Sequence, residues 1–223
     1  MKLTIYNGSP RGRKGNTEIL INYFLQGFDS NENNVSVNYL WETGRMREYV
    51  GKFQNADNIL IAFPLYTDAM PGLVMEFFEA LQDIKFYSDN QRIGFLVHCG
   101  FPETAHVRPV QRYLEKLSRR LGIQYLGTIA KGGSEGLRST PARFNKKLFN
   151  NMIKLGENFA ATRKFDPQLL KSIAGNEKFP ALMMPLFKLL NKTGLFNIYW
   201  NKQLRKNNAF SRRFDAPVVS KVL

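Results

Sequence analysis

The sequence predicts an α/β fold: a doubly wound, five-stranded parallel sheet in the order 2-1-3-4-5, extended at its C-terminus by a helical segment. Three observations predict it. Short apolar runs alternate with segments of helical periodicity, the middle run is apolar without interruption, and a glycine-rich polar loop separates the first run from the first helix.

The strand-like runs lie at residues 3–6, 35–41, 58–64, 93–98 and 125–130. Leu20, Tyr23 and Phe24 stripe the first helix, and the second is expected near residues 47–56. Leu73, Phe77 and Leu81 mark the third; Val110, Tyr113, Leu114, Leu117 and Leu121 the fourth; Phe144, Leu148, Met152, Leu155 and Phe159 the fifth. Crossover helices between all strands require a parallel sheet covered on both faces, and the unbroken apolar run at 59–63 fits such burial. The organisation read from this pattern is a sheet domain at residues 1–165 followed by a basic, partly apolar helical extension at 166–223.

For a five-stranded doubly wound sheet the common order is 2-1-3-4-5, and its ligand crevice opens where the strand order reverses, between the loops after strands one and three. Those are the two most distinctive loops of the chain. The first, residues 7–16, reads Asn-Gly-Ser-Pro-Arg-Gly-Arg-Lys-Gly-Asn and runs into a helix at Thr17. Loop amides and the positive end of a helix dipole would face one anion there, with Ser9, Arg11, Asn16 and Thr17 adding side-chain donors. The spacing of Gly8, Gly12 and Gly15 fits neither the nucleoside-triphosphate loop nor the dinucleotide fingerprint, which leaves a mononucleotide-type phosphate cradle. The second loop, 63–72, is bracketed by Pro64 and Pro71 and is expected to leave the amides of Tyr66 and Thr67 free for a ligand, with the Tyr66 ring as a flat face. After strand four, Gly100 permits close backbone approach and Phe101 offers another ring. The segment 131–136 after strand five reads equally as a border of the crevice or a simple flexible turn.

Composition narrows the chemistry. Cys99 is the single cysteine, and with only His98 and His106 beside it no disulfide, zinc site or iron–sulfur site is expected; Cys99 reads as a small buried residue and both histidines as structural. No triad or paired carboxylates at a recognisable spacing appear, so no protein group is assigned as catalytic. The formal charge of +14 is uneven: residues 1–142 carry 16 Lys and Arg against 14 Asp and Glu, residues 143–223 carry 16 against 4. The excess belongs to the C-terminal third, and nucleic-acid binding is not expected of the sheet domain. With no apolar run of membrane-spanning length and an opening too short and strand-like for a signal peptide, a cytoplasmic protein is expected.

On three stretches the chain resembles the NAD(P)H-dependent FMN reductase family of flavodoxin-like flavoproteins: Asn7-Gly-Ser-Pro-Arg11 with Gly15-Asn-Thr17, Pro64-Leu-Tyr-x-x-x-Met-Pro-Gly72, and Gly100-Phe-Pro-Glu103. The resemblance covers roughly the first 160 residues. It implies a flavodoxin-like fold and bound FMN, with Ser9, Arg11, Asn16 and Thr17 on the phosphate, Pro64, Leu65, Tyr66 and Thr67 framing the flavin, and Cys99, Gly100 and Phe101 closing its far edge. It also implies NADH or NADPH as co-substrate, a small acceptor such as a quinone, flavin, nitro or azo compound, and a homodimer. The related iron–sulfur flavoproteins carry a cysteine cluster after strand two; residues 41–47 here hold no cysteine, so a cluster is excluded. Two rival readings are a flavodoxin-type electron carrier, which such a basic chain fits poorly, and a non-catalytic regulatory or membrane-docking protein.

In the extension, Pro180 and Pro185 are expected to break the segment, after which Leu186, Leu189, Leu190, Leu195, Phe196, Tyr199 and Trp200 form an apolar face interrupted by Lys188 and Lys192. The reading favoured from sequence is packing against its own domain or a dimer mate, ahead of a lid and a membrane-surface helix.

Overall fold

Every residue of strand β3, Asn58–Pro64, is buried, because both of its faces are covered and neither needs a polar side chain. Around it, in a computed structural model, β1 (Lys2–Asn7), β2 (Asn34–Tyr39), β4 (Arg92–His98) and β5 (Gln124–Lys131) pair in parallel in the order β2-β1-β3-β4-β5. The structure describes residues 1–28, 33–82, 90–178, 184–195 and 197–215, and the chain forms two units, Met1–Lys178 and Phe179–Leu223.

Side chains alternate across the sheet and feed two cores. On one face Tyr6, Phe63 and Phe95 meet Tyr49 and Phe53 of α2 (Met46–Gln54), Phe77 of α3 (Gly72–Ala80) and Leu114 of α4 (Arg108–Arg120). On the other, Leu3, Ile5 and Leu96 meet Phe24 and Phe28 of α1 (Asn16–Phe28), Met152 and Phe159 of α5 (Lys146–Thr162) and Ile173 of α6 (Pro167–Ala174). Helices α1 and α5 touch backbone to backbone. A Cβ on Gly27 would lie 1.8 Å from the Ile153 carbonyl oxygen, and one on Gly156 2.0 Å from that of Phe24. The two glycines set how closely α1 approaches α5.

The structure corrects several details of the sequence reading. The second strand ends at Tyr39, and Trp41 lies beyond it, 48% exposed. Tyr113, expected on the buried stripe of α4, is 51% exposed, because Val110, Leu114 and Ser118 take the inward positions. Phe144 precedes α5 in a 3-10 turn and so is out of phase with its buried face. Residues 166–178, assigned from sequence to the extension, belong to the first unit. Asp166 caps α6 by accepting from the Leu169 amide at 2.9 Å, Ile173 is buried, and the amides of Thr104 and Ala105 donate to the carbonyls of Asn176 and Glu177.

The second unit contains α7 (Met184–Lys192) and α8 (Asn197–Lys206). Pro185 stands in the first turn of α7, where its missing N–H costs nothing, and the apolar face expected from Leu186 onward follows it. Pro180 and Phe196 lie outside the described residues.

Candidate functional site

All five strands end on one edge of the sheet, and the loops leaving them build a crevice there. The loop after β1 is shaped by its own side chains. The Asn7 side chain accepts from the Ser9 amide at 2.9 Å and donates to Glu18, an Asx turn that lifts the chain off the strand. Gly8 presses against the third helix: a Cβ would lie 2.3 Å from Val74 Cγ2. Gly12 adopts φ +50° beneath the Trp41 indole, where a Cβ would meet Nε1 at 2.5 Å. Gly15 leaves room for the Ser9 hydroxyl at the start of α1. Arg138 fastens the loop from outside, donating to the carbonyls of Arg13 and Gly15 at 3.3 Å.

Ser9, Arg11, Asn16 and Thr17 all line the crevice. Pro64, Leu65 and Tyr66 line it from β3, and Cys99 and Gly100 from β4. Three further lining residues were not assigned a role from sequence. His98 read as structural, and Ser134 and Glu135 come from the segment 131–136 whose two readings stood level. The side of the crevice is therefore the outcome for that segment.

Those additions explain how the site is held. Ser134 Oγ donates to the Cys99 carbonyl at 2.8 Å, so it must accept from His98 Nδ1 at 2.7 Å. His98 Nε2 then carries no proton and accepts from the Thr17 hydroxyl at 2.8 Å. Burial pushes the His98 pKa down to about 4, which keeps the ring neutral, and the bonds to Ser134 and Thr17 select the tautomer. The Thr17 hydroxyl proton is thereby spent. Asn16 is likewise engaged, its amide group donating to the carbonyls of Ser134 at 2.8 Å and Glu135 at 3.2 Å. These two side chains tie the first loop to the fourth strand and to the loop after the fifth instead of pointing donors outward. The crevice donors not spent in this way are those of Arg11, the buried Ser9 hydroxyl and the amides of the first turn of α1, which have no carbonyl one turn earlier.

The second loop departs from expectation. Tyr66 and Ala69 exchange amide-to-carbonyl bonds at 2.9 and 3.1 Å, closing a turn whose tip residues Thr67 and Asp68 both have positive φ, 51° and 59°. The Tyr66 amide is consequently not free for a ligand. Thr67 does not line the crevice, and a β-branched residue at positive φ stores strain there. Phe101 does not line it either. Its ring, 56% exposed, stacks on His106 with centroids 4.4 Å apart, and His106 Nδ1 lies 3.3 Å from Asp68 Oδ1 on the turn after β3. Cys99 behaves as a packing group: burial raises its pKa, and the thiol donates toward the Phe101 carbonyl at 3.6 Å.

The crevice has a cavity volume of about 80 Å³, enough for a phosphate and too little for a tricyclic ring. Next to it, from Asp68 to Met70 and between α3 and α4, runs an apolar cleft of about 600 Å³ lined by Met75, Phe78, Tyr113 and Leu117. Among the described residues no group of three or more His, Cys, Asp or Glu side chains is arranged to hold a metal ion.

A profile of the family described as a flavodoxin-like fold matches residues 1–149. The chain belongs to that flavodoxin-like family. Solved structures agree in fold. The NAD(P)H:quinone oxidoreductase from Methanothermobacter marburgensis matches this flavodoxin-like chain with a TM-score of 0.58 at 13% identity, over 71% of the chain and 96% of its own length. An FMN-dependent NADH-azoreductase from Bacillus anthracis, solved in complex with FMN, matches at 0.56 and 15%, over 72% and 100%. An NADPH-quinone reductase from P. pentosaceus matches at 0.55 and 18%, over 73% and 99%. No curated protein sequence is significantly similar to the chain.

Proposed function

We propose that the protein is an FMN-dependent oxidoreductase that passes hydride from NADH or NADPH, through bound FMN, to a small acceptor such as a quinone, flavin, nitro or azo compound. The observation that carries this reading is the meeting of the loops after β1 and β3 at the point where the strand order reverses, around a phosphate-sized cavity. The donor set fits a phosphomonoester: one guanidinium, one buried hydroxyl and helix-terminal amides supply charge and directed N–H bonds without a metal. The solved neighbours named for FMN, NAD(P)H, azo and quinone chemistry support the same reading.

FMN supplies the two-electron chemistry when bound. The protein's residues do the rest. Arg11, Ser9 and the first turn of α1 hold the phosphate; the Thr17–His98–Ser134 chain fixes the helix start against β4; and Tyr66, 46% exposed, presents a ring face beside the cavity. Glu135 brings a carboxylate to the crevice as an acceptor for ligand N–H or O–H groups. No side chain is assigned as acid, base or nucleophile. The apolar cleft beside Asp68 offers the room for a flat acceptor that the crevice lacks. A homodimer and a cytoplasmic location remain part of this proposal, to be tested by sedimentation velocity and by cell fractionation.

The deciding experiment is the absorption spectrum of the purified protein with mass identification of any released cofactor, followed by NADH and NADPH oxidation with a quinone or free flavin. A flavin spectrum with turnover is expected. A protein that stays colourless in excess FMN overturns the reading, and a flavin reducible only by a protein donor turns it into an electron carrier.

A further inference from the structure

The second unit, Phe179–Leu223, has exposed apolar side chains and no core among its described residues. Leu186, Phe187 and Leu189 of α7 and Ile198 and Trp200 of α8 are 43–61% exposed, and no described residue of either helix is buried. From sequence, the favoured reading is packing against its own domain or a dimer mate; within the unit itself no described residue of either helix is covered. An apolar face left in water is costly and marks a surface that something else covers.

Charge says what covers it. Residues 179–223 hold eight Lys and Arg against a single acidic residue, Asp215. In α7, Leu186, Leu189 and Leu190 recur at helical spacing on one side, while Lys188 and Lys192 share the other. In α8, Trp200 and Leu204 stand one turn apart, with Lys202, Arg205 and Lys206 turned away from them, while Ile198 and Tyr199 share the basic side. The same face of a second copy carries the same basic excess and would repel it, so a homodimer would use another surface of the chain. A nucleic acid would satisfy the lysines but not a row of leucines. An anionic bilayer satisfies both, taking leucine and phenylalanine into the acyl boundary, Tyr199 and Trp200 at headgroup level and the basic side chains on lipid phosphates. Among the described residues no helix is long and apolar enough to cross a membrane, so the contact is interfacial.

We propose that α7 and α8 dock the protein on the surface of an anionic lipid bilayer. This rests on the second unit alone and stands whether or not the crevice binds FMN. The test is cosedimentation of the full chain with vesicles of phosphatidylcholine alone or with about one-third phosphatidylglycerol, at low and at physiological salt. The expected result is a partition at least about tenfold higher on the anionic vesicles, weakened but not abolished by salt. A Leu189→Glu/Trp200→Glu variant with an unchanged circular-dichroism spectrum is expected to stay in the supernatant, and Lys188→Gln/Lys192→Gln/Lys202→Gln/Lys206→Gln to lose about tenfold or more of the partition. No pelleting on anionic vesicles at low salt overturns the proposal, as does equal pelleting on both compositions. It is also overturned if Leu189→Glu/Trp200→Glu pellets like the parent. Duplex DNA binding that exceeds vesicle binding and survives that double substitution assigns the surface to nucleic acid. A lipid-free dimer that the same substitution splits assigns it to a second copy; either result sinks the lipid assignment.

Discussion

The two units of this chain solve opposite problems. The first buries whole aromatic side chains on both sides of a sheet and brings two helices into backbone contact through Gly27 and Gly156. The second, with helices of comparable apolar content, buries none of its described residues. The difference teaches that an apolar stripe specifies a buried face only where a second surface is at hand to cover it; otherwise the same stripe specifies an interaction.

Substitutions sharpen that contrast, the largest effects falling in the first unit. Gly27→Ala places a methyl group against the Ile153 carbonyl and must push α1 off α5, at a cost of at least about 3 kcal/mol. Thermal unfolding should report a fall of roughly 10 °C; an unchanged midpoint would show that the helices separate freely. A comparable effect comes from acid. The His98 pKa of about 4 lies below the ordinary 6.5, so the stability its neutral form brings is complete above pH 6.5 and disappears as pH falls through 4. About 3 kcal/mol should vanish over that window. In His98→Gln, which cannot charge, the loss over the same window should flatten, as read by urea unfolding at stepped pH.

At the crevice, Arg11→Ala should weaken FMN binding by roughly ten- to a hundredfold, the equivalent of about 1.5–3 kcal/mol for a charge-assisted bond. Fluorescence titration checks this, and an unaltered dissociation constant would remove Arg11 from the site. Two smaller effects close the comparison. A Cβ on Gly51 of α2 meets nothing within 4 Å, so Gly51→Ala should stabilise by about 0.5–1 kcal/mol, the reverse of Gly27→Ala. Leu189→Ser in the second unit should change the unfolding free energy by less than about 0.5 kcal/mol in the absence of lipid, as read by urea unfolding, since that side chain is 60% exposed.

Much of the site could be read ahead of the structure because the information is local. A strand, a turn-rich loop and a helix start in sequence order place Ser9, Arg11, Asn16 and Thr17 at one sheet edge, and the strand-order rule brings Pro64, Leu65 and Tyr66 to meet them. The readings that failed depend on partners distant in sequence. Nothing near Thr17 says that its hydroxyl will be taken by His98, or that Asn16 will be bonded to the carbonyls of Ser134 and Glu135. The Tyr66 amide was lost to a turn that needs two consecutive residues at positive φ, and Thr67 is an improbable residue for it. Phe144 and Tyr113 carry the right chemistry for a core but fall outside the buried arc that packing selects.

Periodicity and turn chemistry by themselves determined the five strands and the helices between them, since those follow from residues close together in the chain, and the usual order of such a sheet then supplied the strand order and the edge on which the crevice lies. The tertiary structure alone decided which donors remain free in that crevice, where the first unit ends, and whether an amphipathic helix is covered. Those outcomes turn on competition for hydrogen-bond partners and for apolar surface among residues far apart in sequence, and such competition is resolved only when the surfaces meet.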